Sequence, residues 1–228
     1  MPSAMNLARS LLRLFGRDLP RAFPGSANYW ENRYKQGGNS GNGSYGQLAA
    51  FKAEVLNTFI SEHQIGSVIE FGCGDGNQLR LLKCPRYTGL DVSPTAIEAC
   101  RRTYASDSSK RFLVAGSTSE YPRATMAISL DVIYHLTEDD TFSRYLQMLF
   151  DSADQYVVIY SSNGSPTKGN IPIWPPHIVH RRFTDWVERN APGWQLFAKI
   201  PNRYPYSRDR KGNETGSFAD FYIYSKAQ

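Results

Sequence analysis

An apolar run that ends in closely spaced glycines constrains this chain more than any other feature: Val68-Ile69-Glu70-Phe71-Gly72-Cys73-Gly74-Asp75-Gly76-Asn77. Such a run predicts a buried strand feeding a tight turn, in which Gly72 and Gly74 let the backbone approach a ligand where a Cβ would obstruct it. About twenty residues on, Tyr87-Thr88-Gly89-Leu90-Asp91-Val92-Ser93 reads as a second strand ending in a carboxylate, the spacing at which a βαβ unit presents an acid to ribose hydroxyls. The two together predict a nucleotide-cofactor site at the head of a parallel sheet. A dinucleotide fingerprint, G-x-G-x-x-G, would need a glycine where Asn77 stands, and the third glycine comes one residue early, at Gly76.

This E-x-G-x-G-x-G form, starting at Glu70, resembles the first motif of the class I S-adenosylmethionine-dependent methyltransferases. The resemblance continues through Asp91 and through Ser129-Leu130-Asp131-Val132-Ile133-Tyr134-His135-Leu136, which looks like the fourth strand of that superfamily and its exit, and it covers roughly residues 65 to 226. It implies S-adenosylmethionine as cofactor. It also implies a set of binding residues: Glu70, Gly72 and Gly74 at the amino-acid end, with Cys73 as a small residue packed under the loop. Asp91 would take the ribose, Val92 would lie beside the base, Ser117 would stand near the adenine, and Asp131 would close the cavity.

The rest of the chain fits one domain. With 228 residues and 41% hydrophobic content, it can bury a full core, and nothing suggests two enzymatic domains. Strand and helix alternate, with strands expected near 67–72, 86–91, 111–115, 126–131 and 155–161 and helices near 77–83, 94–105, 138–153 and 180–190. Two closing strands, at 194–200 and 219–224, complete an α/β, Rossmann-like doubly wound sheet of seven strands. By the resemblance it is mostly parallel with an antiparallel last strand, and helices cover both faces. The methyltransferase domain would span 26–228, with 26–64 as an N-terminal lid segment. Within it the aromatic Tyr29-Trp30-Glu31-Asn32-Arg33-Tyr34 precedes a glycine-rich loop over 37–46, and by resemblance Trp30, Arg33 and Tyr45 are lid residues; composition alone equally allows a spacer.

Residues 1–25 read as a basic amphipathic extension, because Arg9, Arg13, Arg17 and Arg21 accompany a helical stripe of Leu7, Leu11, Leu12, Leu14 and Phe15. It is too short and too charged to span a bilayer, which leaves an anionic membrane surface, its own domain, a partner or disorder as its surroundings. Cys73, Cys84 and Cys100 have no C-x-x-C spacing, so the chain reads as cytoplasmic with neither a disulfide framework nor a zinc site. Glu138, Asp139 and Asp140 follow Thr137 at a helix start, where a Thr cap and helix-dipole stabilisation account for them better than a metal does. No metal is expected. The N/D-P-P-Y motif of enzymes that methylate base amines is replaced by Asp131-Val132-Ile133-Tyr134, and no dedicated nucleic-acid module appears.

Transfer to a hydroxyl needs a base, and histidine titrates nearest neutrality. His177 and His180, in a proline-rich loop expected to cover the acceptor, are the preferred candidates, and His135 after the fourth strand is the third. Tyr134, Asn163 and Arg181 are expected around the acceptor, a sugar, glycan or other small molecule. The alternatives are N-methylation of a small amine, or a silent cofactor-binding scaffold.

Overall fold

A computed structural model describes residues 23–117, 121–164, 175–211 and 213–227. The basic extension over 1–22 lies outside the described residues. From the start, the elements are α1 (Ser26–Lys35), α2 (Gly46–Glu62), β1 (Val68–Phe71), β2 (Tyr87–Asp91), α3 (Pro94–Thr103), β3 (Lys110–Val114) and β4 (Ala124–Leu130). There follow α4 (Asp139–Asp151), β5 (Ala153–Ser161), α5 (Phe183–Asn190), β6 (Trp194–Ile200), β7 (Ser207–Arg208), β8 (Glu214–Thr215) and β9 (Asp220–Lys226).

One seven-stranded sheet runs β3-β2-β1-β4-β5-β9-β6. The first five strands are parallel, and β9 lies antiparallel between β5 and β6. All four residues of β1 are buried, as a strand covered on both faces requires. Alternation sorts its neighbours into two cores. Val68, Tyr87, Ile128 and Val158 pack with Phe51, Leu56 and Phe59 of α2 and Ile97 of α3. Ile69, Leu90, Ala127 and Val157 pack on the other face with Phe142, Leu146 and Leu149 of α4 and Phe183 and Val187 of α5. The doubly wound architecture with an antiparallel last strand is therefore as expected, and it brings the ends of β1, β2, β4 and β5 to one edge.

Three local expectations differ. The helix expected over 77–83 is a short 3₁₀ turn, Gln78–Leu81, because Pro85 follows closely and disfavours helical backbone before it. Helix α4 starts at Asp139 with Glu138, not Thr137, at the cap position. Its carboxylate is taken instead by Ser26, whose backbone N–H donates to it over 2.9 Å and whose hydroxyl does so as well. The late basic loop contains the two-stranded β7–β8 ribbon, too short to leave a periodic signal. Among the described residues no helix is long and apolar enough to cross a membrane.

Candidate active site

The glycine loop turns as its sequence requires. Gly72 and Gly74 have φ of 83° and 55°, backbone that residues with a Cβ rarely adopt. A Cβ on Gly74 would stand 2.2 Å from Ser40 Oγ, and one on Gly72 2.4 Å from Val132 Cγ2. Asp91 closes the loop from β2: its Oδ2 accepts from the Gly74 N–H and its Oδ1 from the Ser93 N–H, both at 2.9 Å. Burial pushes the Asp91 carboxyl up to about 6, against the pull of those two bonds.

Above the loop lies a cavity of about 390 Å³, within the range of small-ligand pockets. One end is apolar, walled by Leu90, Val92, Ala115, Tyr121, Val132 and Met148. At the other end Trp30, Tyr34, Ser40, Asp131 and His135 meet the glycines. Largely apolar walls, the buried Asp91 carboxylate and a glycine turn suit an adenosyl group that carries an amino-acid tail.

The expected lid is a clasp. Tyr45 donates its hydroxyl to Asp75 Oδ2 over 2.7 Å, the Ser40 N–H donates to the same oxygen over 2.9 Å, and the Asp75 N–H donates back to Ser40 Oγ over 3.0 Å. The loop over 37–46 is thus bonded to the cofactor loop rather than acting as a spacer. Trp30 reaches the cavity wall; Arg33 instead donates to the Asn39 carbonyl over 2.6 Å and holds the clasp together. On the other side of α1, Glu31 accepts from the hydroxyls of Ser93 and Thr95. Burial works against the Glu31 charge, but bonds from Ser93, Lys35 and Thr95 prevail and hold its pKa down at about 2.

Asp131 directly follows β4 with a φ of 60°, left-handed backbone that favours glycine. Both of its oxygens are engaged: Lys52 Nζ, on a fully buried side chain of α2, donates to Oδ2 over 2.6 Å, and the Tyr134 hydroxyl donates to Oδ1 over 2.9 Å. Burial, and then the Asp131 charge, push the Tyr134 phenol well above its ordinary range, so it stays protonated as a donor.

The three histidines separate. His135 lines the cavity, with Trp30 edge-on at 4.9 Å between ring centroids. Its Nδ1 is 3.0 Å from the His177 carbonyl oxygen, and burial depresses its pKa to about 4 in spite of that bond. His177 stacks on Tyr29 at 4.4 Å and lies behind His135 rather than on the cavity. His180 places Nδ1 2.6 Å from Ser162 Oγ and is likewise off the cavity wall. Among the loop's described residues, His177 meets His135 through its backbone carbonyl.

Four other expected site residues have different places. The Glu70 carboxylate lies buried beneath the loop and accepts from the Tyr87 hydroxyl, because strand alternation turns it away from the cavity edge. Burial raises its pKa to about 7, opposed by the Tyr87 bond and by Lys52. Ser117 donates to the Val114 carbonyl over 2.6 Å within its own turn, so Ala115 and Gly116 form the wall. Asn163 is bonded to Thr184 at the start of α5. Arg181 donates to the carbonyls of Leu136 and Thr137 over 2.6 and 2.8 Å and pairs with Asp139 at 2.7 Å, a staple between two loops. Cys73 is buried under the loop, as expected of a small packing residue.

Residues 68–152 match the family profile of a methyltransferase domain. Solved structures with the same fold include the N-methyltransferase NodS from Bradyrhizobium japonicum in complex with S-adenosyl-L-homocysteine, 14% identical at a TM-score of 0.57, covering 96% of this chain and 98% of that one. Magnesium protoporphyrin IX methyltransferase from Synechocystis with bound S-adenosylmethionine is 13% identical at 0.58, covering 91% and 100%. A putative RNA methyltransferase from Pyrococcus horikoshii is 15% identical at 0.56, covering 99% and 100%. No curated protein sequence matches the chain. Among its described residues the chain has no group of three or more His, Cys, Asp or Glu side chains arranged to hold a metal ion.

Proposed function

We propose that this methyltransferase uses S-adenosylmethionine to methylate a hydroxyl of a small molecule or glycan, with His135 as general base. One observation carries the assignment of the base. The His177 carbonyl 3.0 Å from Nδ1 of His135 can only accept, so Nδ1 carries the proton and Nε2 keeps its lone pair, on a ring that lines the cavity. When bound, the cofactor supplies a methyl group on a sulfonium, already a good leaving group. The protein's tasks are then to place the acceptor in line and to receive its proton.

Asp91 would accept from the ribose hydroxyls, and the Gly72–Gly74 backbone would pass under the amino-acid tail. Val92, Ala115 and Val132 would enclose the adenine, and Trp30 with the clasped loop would keep water from the polar end. Asp131, the other carboxylate lining the cavity, would accept from the tail's ammonium.

A second reading, methyl transfer to an amine, is favoured by the low basicity of His135, since a neutral amine is nucleophilic without a strong base. Transfer of a labelled methyl group into a cell lysate, followed by identification of the product, tests the hydroxyl reading. An N-methylated product would replace it, and no product at all would leave a silent binding protein. The glycan class is an expectation from the sequence alone, and a cytoplasmic location rests on the cysteine spacing.

A further inference from the structure

Lys52 has a place in the site that no sequence motif gives it. It is the charged residue among the buried positions of α2, which otherwise are the apolar Leu48, Ala49, Phe51, Ala53, Leu56, Phe59 and Ile60. Its side chain is fully buried, and its Nζ meets Asp131 Oδ2 at 2.6 Å and stands 5.3 Å from the Tyr160 ring centroid. A buried ammonium in an apolar core is costly unless a partner compensates it, and the partner here is a carboxylate on the cavity wall. Asp131 is itself in left-handed backbone, a conformation that persists only where its surroundings hold it. The clasp loop also presses on this carboxylate: a Cβ on Gly43 would lie 2.5 Å from Oδ2.

We propose that Lys52 is a positioning residue for the amino-acid end of the cofactor: by fixing Oδ2 of Asp131, it aims that carboxylate at the tail's ammonium. The inference rests on the S-adenosylmethionine reading above. Tyr134 holds the other oxygen, so both oxygens of this cavity-lining carboxylate are fixed. Lys52 itself need not touch the cofactor. Without it, Asp131 would keep its place in the chain but lose its orientation, and only a ligand with a tail would register the change.

The test uses two ligands on the full-length protein by calorimetry: S-adenosyl-L-homocysteine, which has the amino-acid tail, and 5′-methylthioadenosine, which lacks it. Lys52→Met should weaken the first by tenfold or more and the second by less than threefold. Asp131→Asn, which keeps Lys52 in place, should show the same selectivity, and the double variant should bind no worse than the weaker single. Equal loss for both ligands in both variants, or additive losses in the double, would overturn the proposal, since either outcome marks a residue that supports only the fold. If Lys52→Met does not fold, Asp131→Asn decides alone, and undiminished selectivity for the tailed ligand overturns it. Failure of the unaltered protein to bind either ligand would sink the cofactor reading instead.

Discussion

The Glu31 carboxylate accepts from the hydroxyl of Ser93, the same residue whose backbone N–H donates to Asp91. Helix α1 and the acid proposed for the ribose therefore share one anchoring residue. Ser93 also caps α3, accepting from the Ala96 N–H over 3.1 Å, so three elements are fixed at one point.

Cofactor affinity should follow the titration of Asp91. Its pKa is raised to about 6, so the protonated form, which cannot accept two ribose bonds as well, takes over as pH falls below that value. Calorimetric titrations should show affinity flat above pH 7 and falling toward tenfold per unit below 6. Asp91→Asn should abolish that slope and cost about 1–3 kcal/mol at pH 8. A slope that survives in the variant would place the titrating group elsewhere.

The Glu31 pKa is shifted in the opposite direction, although its contribution too is lost as pH falls. Its folded pKa is lowered to about 2 from the ordinary 4.5, so its contribution is complete above 4.5 and is lost as pH falls toward 2. Limited proteolysis between pH 5 and 2.5 should show cleavage of the 26–46 segment rising in the native protein. Glu31→Gln should be cleaved readily at every pH. Identical profiles would mean that the carboxylate does not hold the helix.

Catalysis should depend on His135 more than on the loop histidines. His135→Gln is expected to lower kcat by roughly a hundredfold or more while affinity for S-adenosyl-L-homocysteine changes little. His180→Gln should stay within about tenfold of the native enzyme, because its ring is off the cavity wall. If His180→Gln proves the more damaging of the two, the base has been misassigned.

Arg181 should behave as a staple rather than an acceptor ligand. Removing its bonds to two carbonyls and Asp139 should cost about 1–3 kcal/mol of stability, seen as a lower Tm for Arg181→Met. The acceptor's KM should not move. A raised KM at unchanged Tm would return Arg181 to the acceptor site.

The glycine spacing and the strand alternation carried most of the fold, because each reports a strong local constraint: backbone that needs positive φ, and strands buried on both faces. Asp91, Val92 and Asp131 could be placed because strand ends in a parallel sheet share one edge. Side-chain direction was harder to read. Glu70 and Ser117 sit at the right positions in the chain but point beneath the cavity or into their own turn, and sequence spacing does not encode that. Arg181 and Asn163 look like polar residues awaiting a ligand, yet spare carbonyls and a helix start elsewhere in the chain consume their donors. Lys52, Ser40 and Asp75 were missed because their partners lie 79 residues away in the first case and 35 in the others. The one local trace of Lys52 was a charge set in an apolar helical stretch.

The insertion of β9 between β5 and β6 has a consequence for biosynthesis. Among the described residues strand β6 has no ladder partner except β9, so until Asp220–Lys226 emerges from the ribosome the nascent sheet stops at β5. During that interval β5 and β6 each offer an unpaired edge, and Leu196 and Phe197, still half exposed in the finished protein, offer an adhesive one. Translation pauses or chaperone capture over this stretch would bear directly on the yield of native enzyme.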